Sequence, residues 1–298
     1  MLRTLNAFVA KSSVPLWQMV VAARERFIRA GIPPDQAAID AEVLARHARG
    51  WNRATYLTRR DEPLAPDAAA TYEGLVVRRE HREPVAYITG SREFWNLEFL
   101  VTPAVLIPRP ESEFIVEAAL ARLFDKSRAW VIADVGTGSG CLAITLAHEL
   151  PGARVIATDI SQDALAVARA NAARLGVGDR VTLVESSLLD NASGPFDLIV
   201  ANPPYVPSTQ SSTLSPDVRD YEPPLALYGH GDDGLDEARA LLAQAPSRLA
   251  FNGVLLMEFG FSQADAVRAA VGQVPTLEAI DILRDLQGHE RTLVARRC

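Results

Sequence analysis

Between Ala129 and Val271 short apolar runs alternate with helix-period segments, and that alternation restricts the chain to very few folds. Strands are predicted at Trp130–Val135, Arg154–Thr158, Val181–Glu185, Phe196–Ala201 and Val254–Phe259. Helices are predicted at Cys141–Leu150, Ala164–Leu175, Asp236–Leu249 and Gln263–Val271. Strands that read as continuous apolar runs are buried on both faces, and helices between them supply the crossovers a parallel sheet needs. The expected fold is therefore α/β, a doubly wound Rossmann-like sheet. Two further runs, Leu277–Leu283 and Arg291–Ala295, follow with no helix between them, and predict an antiparallel edge that brings the sheet to seven strands.

The chain before this domain has a different period. From Pro15 to about Glu83 apolar residues recur at three- and four-residue spacing, with breaks at Gly31–Pro34, Gly50–Asn52 and Pro63–Pro66. Residues 1–83 thus read as a small helical domain, its third helix running from Asp67 as N-cap to about Arg82. Val85–Gly90 and Glu93–Phe99 read as short strands of a hairpin within a connector, residues 84–109, which includes the proline-stiffened loop Pro103–Pro110. A helix is expected over Glu111–Phe124, and residues 110–298 form the main domain. The long stretch Val206–Gly234 reads as irregular and, because such loops are uncommon, as functional.

Composition excludes several classes. No apolar stretch approaches the ~20 residues of a membrane span. Two cysteines, Cys141 and Cys298, supply neither a disulfide framework nor a CxxC metal site, so the expected setting is reducing and cytoplasmic, without a metal. The formal net charge of −7 is uneven: residues 1–83 carry +3 and the remainder −10. An acidic main domain argues against a strong duplex-binding surface. Residues 1–14 are faintly like a transit peptide but read better as an extension, with Met19 an alternative start.

Three motifs fall at the ends of predicted strands. Asp134-Val135-Gly136-Thr137-Gly138-Ser139-Gly140 closes the first strand of the sheet and opens a helix. Its glycines follow a GxGxG spacing rather than the GxGxxG that seats a pyrophosphate, which suits a nucleoside ligand such as S-adenosylmethionine. Asp159 ends the next strand, 23 residues after Gly136, where an acid can accept both hydroxyls of a ribose or cap the following helix. Asn202-Pro203-Pro204-Tyr205 ends the fourth strand. The prolines stiffen the loop, and an amide with an aromatic neighbour makes a clamp for a flat group that carries an NH2.

The chemistry follows from the nitrogen. An amide or aromatic amine is a poor nucleophile because its lone pair is delocalised. If Asn202 Oδ1 and the Pro203 carbonyl each accept one N–H, the nitrogen is oriented, and the positive charge it gains as it becomes tetrahedral is favoured. The extra proton leaves after transfer, so no strong base is needed, and His148, His230 and His289 are given no catalytic part.

The chain resembles the protein-glutamine methyltransferases that modify peptide chain release factors. The likeness runs from about residue 20 and rests on Glu83–Ile88, Gly90–Trp95, Leu106–Glu113, the glycine loop, Asn202–Tyr205, Tyr221-Glu222-Pro223 with Ala226-Leu227, and Asp285-Leu286 with Gly288 and Arg291. The resemblance implies a class I methyltransferase sheet. It implies that Gly136, Thr137, Gly138, Ser139, Gly140, Asp159, Leu188 and Asn202 hold S-adenosylmethionine. It also implies that Asn202, Pro203, Pro204 and Tyr205 hold the glutamine of a release factor's Gly-Gly-Gln loop, with Asn202, Pro203 and Tyr205 as catalytic residues. Arg109 and Glu111 are secondary candidates near the substrate, and the helical domain would dock the release factor without needing nucleic acid. One departure is Ser186-Ser187-Leu188, where members of the family often carry an acid and an aromatic; Leu188 can still pack on the adenine ring. The nearest rival is an N-methyltransferase of DNA adenine or ribosomal RNA guanine, which shares the Asn-Pro-Pro-Tyr box. The remaining alternative is a non-catalytic cofactor-binding protein.

Overall fold

The computed structural model describes residues 14–298 and divides the chain into two compact units. The first takes the chain up to Gly90 together with Pro216–Tyr221, and the second takes Ser91–Ser215 and Glu222–Cys298. Most of the extension expected over residues 1–14 lies outside the described residues.

The first unit is helical: α1 Leu16–Arg29, α2 Pro34–Arg49, α3 Arg53–Arg59, α4 Pro66–Glu80 and α5 Val85–Thr89. Each break is chemically marked. Gly50 ends α2 with φ 62°, and the Asn52 side chain caps α3 by accepting the Thr55 N–H at 2.8 Å. The apolar stripes of these helices bury Leu16, Phe27, Leu44, Tyr72 and Val76 in one core. A buried ion pair crosses that core, Arg79 Nε to Asp40 Oδ2 at 2.7 Å. Arg79 also pairs with Asp217 at 2.9 Å, which holds Pro216–Tyr221 in this unit.

Two expectations fail here. Asp67 does not cap its helix; Ala65 occupies the N-cap and Pro66, with φ already suited to a helix, takes the first turn. Val85–Thr89 is a helix, not a strand. Pro84 opens it and Gly90, at φ 76°, closes it, and these end signals outweigh the β-propensity of five residues.

In the second unit the hairpin lies wholly within β1 Ser91–Phe94 and β2 Leu97–Leu100. Its turn, Trp95-Asn96, has φ of 51° and 58°, the mirror-image turn that suits strand twist. The Trp95 N–H donates to Glu113 Oε1 at 2.8 Å and its indole to Glu149 Oε1 at 3.2 Å, which holds an aromatic residue in that backbone region. A short 3₁₀ turn, Pro110–Ser112, leads into α6 Glu113–Arg122.

The strands and helices then alternate: β3 Val131–Val135, α7 Cys141–Glu149, β4 Arg154–Asp159, α8 Gln162–Arg174, β5 Val181–Glu185 and β6 Phe196–Ala201. After β6 come β7 Val206–Pro207, α9 Pro216–Tyr221, α10 Pro224–Leu227, β8 Tyr228–Gly229, α11 Asp236–Arg248, β9 Leu249–Glu258, α12 Ala264–Gly272, β10 Leu277–Arg284 and β11 Glu290–Arg297. The main sheet has seven strands in the order β10-β11-β9-β6-β3-β4-β5. Neighbours from β9 to β5 are parallel, and β11 pairs antiparallel with both β9 and β10. The central strands are almost fully buried because helices cover both faces, giving one apolar cluster on each side. Val206–Gly234 is not irregular: β7 and β8 pair in parallel and close it into short turns and helices too brief for periodicity to reveal. Among the described residues no helix is long and apolar enough to cross a membrane.

Candidate active site

The carboxyl ends of β3, β4, β6 and β9 lie along one edge of the sheet. Between β3 and β6 the winding reverses direction, which leaves the crevice where open α/β sheets take ligands. A cavity of about 560 Å³ opens there, lined entirely by residues of the second unit. That volume is ordinary for a small-molecule site.

The glycine loop forms one wall. Gly136 and Gly138 have φ of 70° and 55°, and a Cβ added to either would point into open space. Side chains there would occupy room that a ligand needs against the backbone. Gly140 serves packing instead: it is absent from the lining, and a Cβ on it would lie 2.7 Å from Ile144 Cδ1. The loop is tied to the end of β4, since the Thr137 N–H donates to the Thr158 carbonyl and the Gly138 N–H to Asp159 Oδ2, both at 2.9 Å.

Asp159 lines the cavity and its Oδ1 accepts the Ser161 N–H at 2.9 Å. The cap of α8 is Ser161, whose Oγ accepts the Ala164 N–H. Each carboxylate oxygen has a second lone pair, so Asp159 can still accept from ribose hydroxyls. Thr137, Ser139 and Leu188 also line the cavity, with Ser186 and Ser187. Bare glycine backbone, a carboxylate at the strand end and the apolar Leu188 and Ile160 fit a nucleoside cofactor of the S-adenosylmethionine type.

Beneath the loop lies a residue that the motif contains but to which the sequence alone assigns no role. Asp134 is buried, and its Oδ2 accepts from Thr137 Oγ1 at 2.6 Å and from the Ala143 N–H at 3.1 Å. Burial pushes its carboxyl up to about 7 against those hydrogen bonds, with Asp159 adding to the rise. Its signal was an acid at the penultimate position of a strand that runs into a glycine loop. Cys141, just after the loop, has its thiol pushed up to about 12 chiefly by burial, so it is no nucleophile at neutral pH.

On the facing wall Asn202, Pro203 and Pro204 line the cavity. The register pairs Ala201 with Met257, so the next residues, Asn202 and Glu258, emerge side by side. Asn202 Nδ2 donates to Ser112 Oγ at 3.0 Å, and Ser112 Oγ donates to Glu258 Oε2 at 2.7 Å. Tyr205 does not line the cavity; its hydroxyl lies 3.4 Å from Glu258 Oε1, and its carbonyl accepts from Gln263 Nε2 at 2.8 Å. Burial raises the Glu258 carboxyl, opposed by the Ser112 hydrogen bond and by Arg291.

Arg109 lines the cavity and pairs with buried Glu222 at 2.6 Å, while the other Glu222 oxygen accepts the Ile107 N–H at 3.1 Å. Glu222 thereby pins the loop that carries Arg109. Glu111 is not part of the lining, whereas His230, set aside in the sequence reading, is, with its ring hydrogen-bonded to Glu237. Ser112, Glu222 and Glu258 were not singled out from sequence. Glu222 and Ser112 stand inside segments that carried the resemblance, and Glu258 is the penultimate residue of a predicted strand.

Comparison with known proteins adds a family. The family described as PrmC N-terminal domain matches residues 18–90, and the methyltransferase small domain matches residues 116–215. The chain is 44% identical to a release factor glutamine methyltransferase of Moorella thermoacetica, over 95% of this chain and 98% of that protein. It is also 44% identical to the protein of the same name in Cereibacter sphaeroides, over 92% of this chain and 96% of that one. Among solved structures, a methyltransferase from Pyrococcus furiosus aligns with a TM-score of 0.51 at 18% identity, covering 76% of this chain and 98% of that one. That last likeness speaks for the fold alone.

Proposed function

We propose that this chain, which belongs to the release factor glutamine methyltransferase family, methylates the side-chain amide nitrogen of the glutamine in a release factor's Gly-Gly-Gln loop, and that Asn202 and Pro203 hold that amide. S-adenosylmethionine, when bound, supplies an electrophilic methyl group on a sulfonium. Gly136–Ser139, Asp159 and Leu188 would hold it. The observation that carries the reading is that Asn202 and Pro203 open into the same cavity as the glycine loop and Asp159.

The protein's own groups then do three things. Asn202 Oδ1 and the Pro203 carbonyl accept the two N–H bonds of the acceptor amide and orient its nitrogen. The same two oxygens favour the positive charge that nitrogen acquires as the new C–N bond forms. Arg109, which pairs with Glu222 and lines the same cavity, is assigned to the acceptor's backbone. The nitrogen sheds a proton after transfer, so the site requires no dedicated base. The helical unit, with its mildly basic balance, serves to dock the release factor.

The test is incubation with labelled S-adenosylmethionine and three separate acceptors: release factor, ribosomal RNA and duplex DNA. Label should appear on the Gly-Gly-Gln glutamine by peptide mass mapping. Label confined to either nucleic acid would overturn the assignment.

A further inference from the structure

The amide of Asn202 could face either way across the strand end, since its oxygen and nitrogen differ little in shape. Only one orientation presents an acceptor to an incoming N–H. Ser112 and Glu258 decide between them by the sense of their hydrogen bonds. At a pH above its raised pKa the Glu258 carboxylate only accepts, so there the Ser112 hydroxyl must donate to Glu258 Oε2, at 2.7 Å. That hydroxyl can then only accept from Asn202, at 3.0 Å, which turns the Asn202 NH2 toward Ser112 and leaves Oδ1 free. Ser112 and Glu258 are 3% and 2% exposed, so water cannot readily substitute for either partner. Glu258 is brought to the spot by the β6–β9 register, and Ser112 by the 3₁₀ turn Pro110–Ser112.

We infer that Ser112 and Glu258 are positioning residues for methyl transfer: a one-way hydrogen-bond chain, Asn202 Nδ2–H to Ser112 Oγ–H to Glu258, that aims the Asn202 oxygen at the acceptor amide. This rests on the reading of Asn202 as the acceptor clamp. Neither residue needs to touch substrate. Tyr205, with its hydroxyl 3.4 Å from the other Glu258 oxygen, helps hold the carboxylate in place.

The experiment measures single-turnover methylation of release factor at saturating cofactor and acceptor, with cofactor affinity followed by calorimetry. Ser112→Ala should slow transfer about 10–100-fold, the cost of a misoriented reacting group, and leave cofactor affinity unchanged. Ser112→Thr keeps the hydroxyl and should recover most of the rate. Glu258→Gln can donate to Ser112 and reverse the chain, so it should slow transfer to a similar degree. In the Asn202→Ala background, Ser112→Ala should add nothing, because the group it aims is gone. A wild-type rate for Ser112→Ala, a Thr variant as slow as the Ala variant, or losses that multiply in the double variant would each overturn the inference while leaving the clamp intact. A wild-type rate for Asn202→Ala would instead overturn the clamp itself.

Discussion

Asp40 in the helical unit and Glu258 in the methyltransferase unit are equally buried, each 2% exposed, yet their surroundings differ in kind. Asp40 meets a cation: Arg79 Nε lies 2.7 Å away and Gln36 Nε2 donates at 2.6 Å. Glu258 meets hydroxyls, Ser112 and Tyr205, and Arg291 acts on it only through space. A paired buried carboxylate fixes how helices sit against one another, and removing its partner is what costs stability. A carboxylate buried against neutral donors carries a desolvation penalty that those donors offset only in part. Such groups cluster where function requires them. The contrast separates a charge that serves the fold from one that serves the site.

The largest expected effect breaks the first of these. Arg79→Ala leaves Asp40 buried without its cation and also removes the 2.9 Å contact to Asp217. Stability should fall by about 3–5 kcal/mol in denaturant titration. At low temperature and saturating release factor the rate per folded molecule should stay near wild type. A loss under about 1 kcal/mol would mean that the pair is not what organises the helical unit.

On the other side of the comparison, Asn202→Ala should reduce turnover about 10²–10³-fold, as expected for the removal of one preorganised polar group. Its melting temperature and cofactor affinity should barely move, and comparable losses in all three would show a structural residue. Asp159→Ala should act chiefly on cofactor binding, with a smaller loss of stability because the Gly138 and Ser161 N–H groups lose their acceptor. Losing a charged acceptor of hydroxyl hydrogen bonds should weaken S-adenosylmethionine by about 10–100-fold by calorimetry. An unchanged affinity would remove Asp159 from the ribose site. Its two backbone hydrogen bonds, from Gly138 and Ser161, would then be its whole role.

The parts of this site that could be read from sequence are those whose chemistry is local. Val131–Val135 and Phe196–Ala201 announce themselves because a strand buried on both faces reads as a near-continuous apolar run, broken here only by Asp134 and Asp197. The glycine loop, Asp159 and Asn202 then follow as the residues directly after such strands. Ser112, Glu222 and Glu258 stayed hidden because their partners lie far along the chain. Ser112 and Glu258 are 146 residues apart, and Arg109 and Glu222 are 113 apart. No spacing rule links them until the strand order is known. Val85–Gly90 failed for the opposite reason: so short a run cannot distinguish a period of two from one of 3.6, and the decisive signals are Pro84 just before it and Gly90 at its end.

The smallest expected change in stability sharpens the comparison most. Glu258→Gln should lie within about 1 kcal/mol of wild type, even though it alters a fully buried residue and slows transfer. The sign follows from the raised carboxyl, burial being the main cause. A group whose pKa is higher folded than unfolded adds stability below its unfolded pKa, and that stability is lost as pH rises through the folded value. Wild type should therefore compare best with the Gln variant below pH 4.5, the ordinary value for this carboxyl, and worst at pH 8, where the variant should be at least as stable. Parallel denaturant titrations of the two proteins at both pH values decide it. A Gln variant several kcal/mol less stable at pH 8 would place Glu258 with Asp40, among the charges that hold the fold rather than those kept for the reaction.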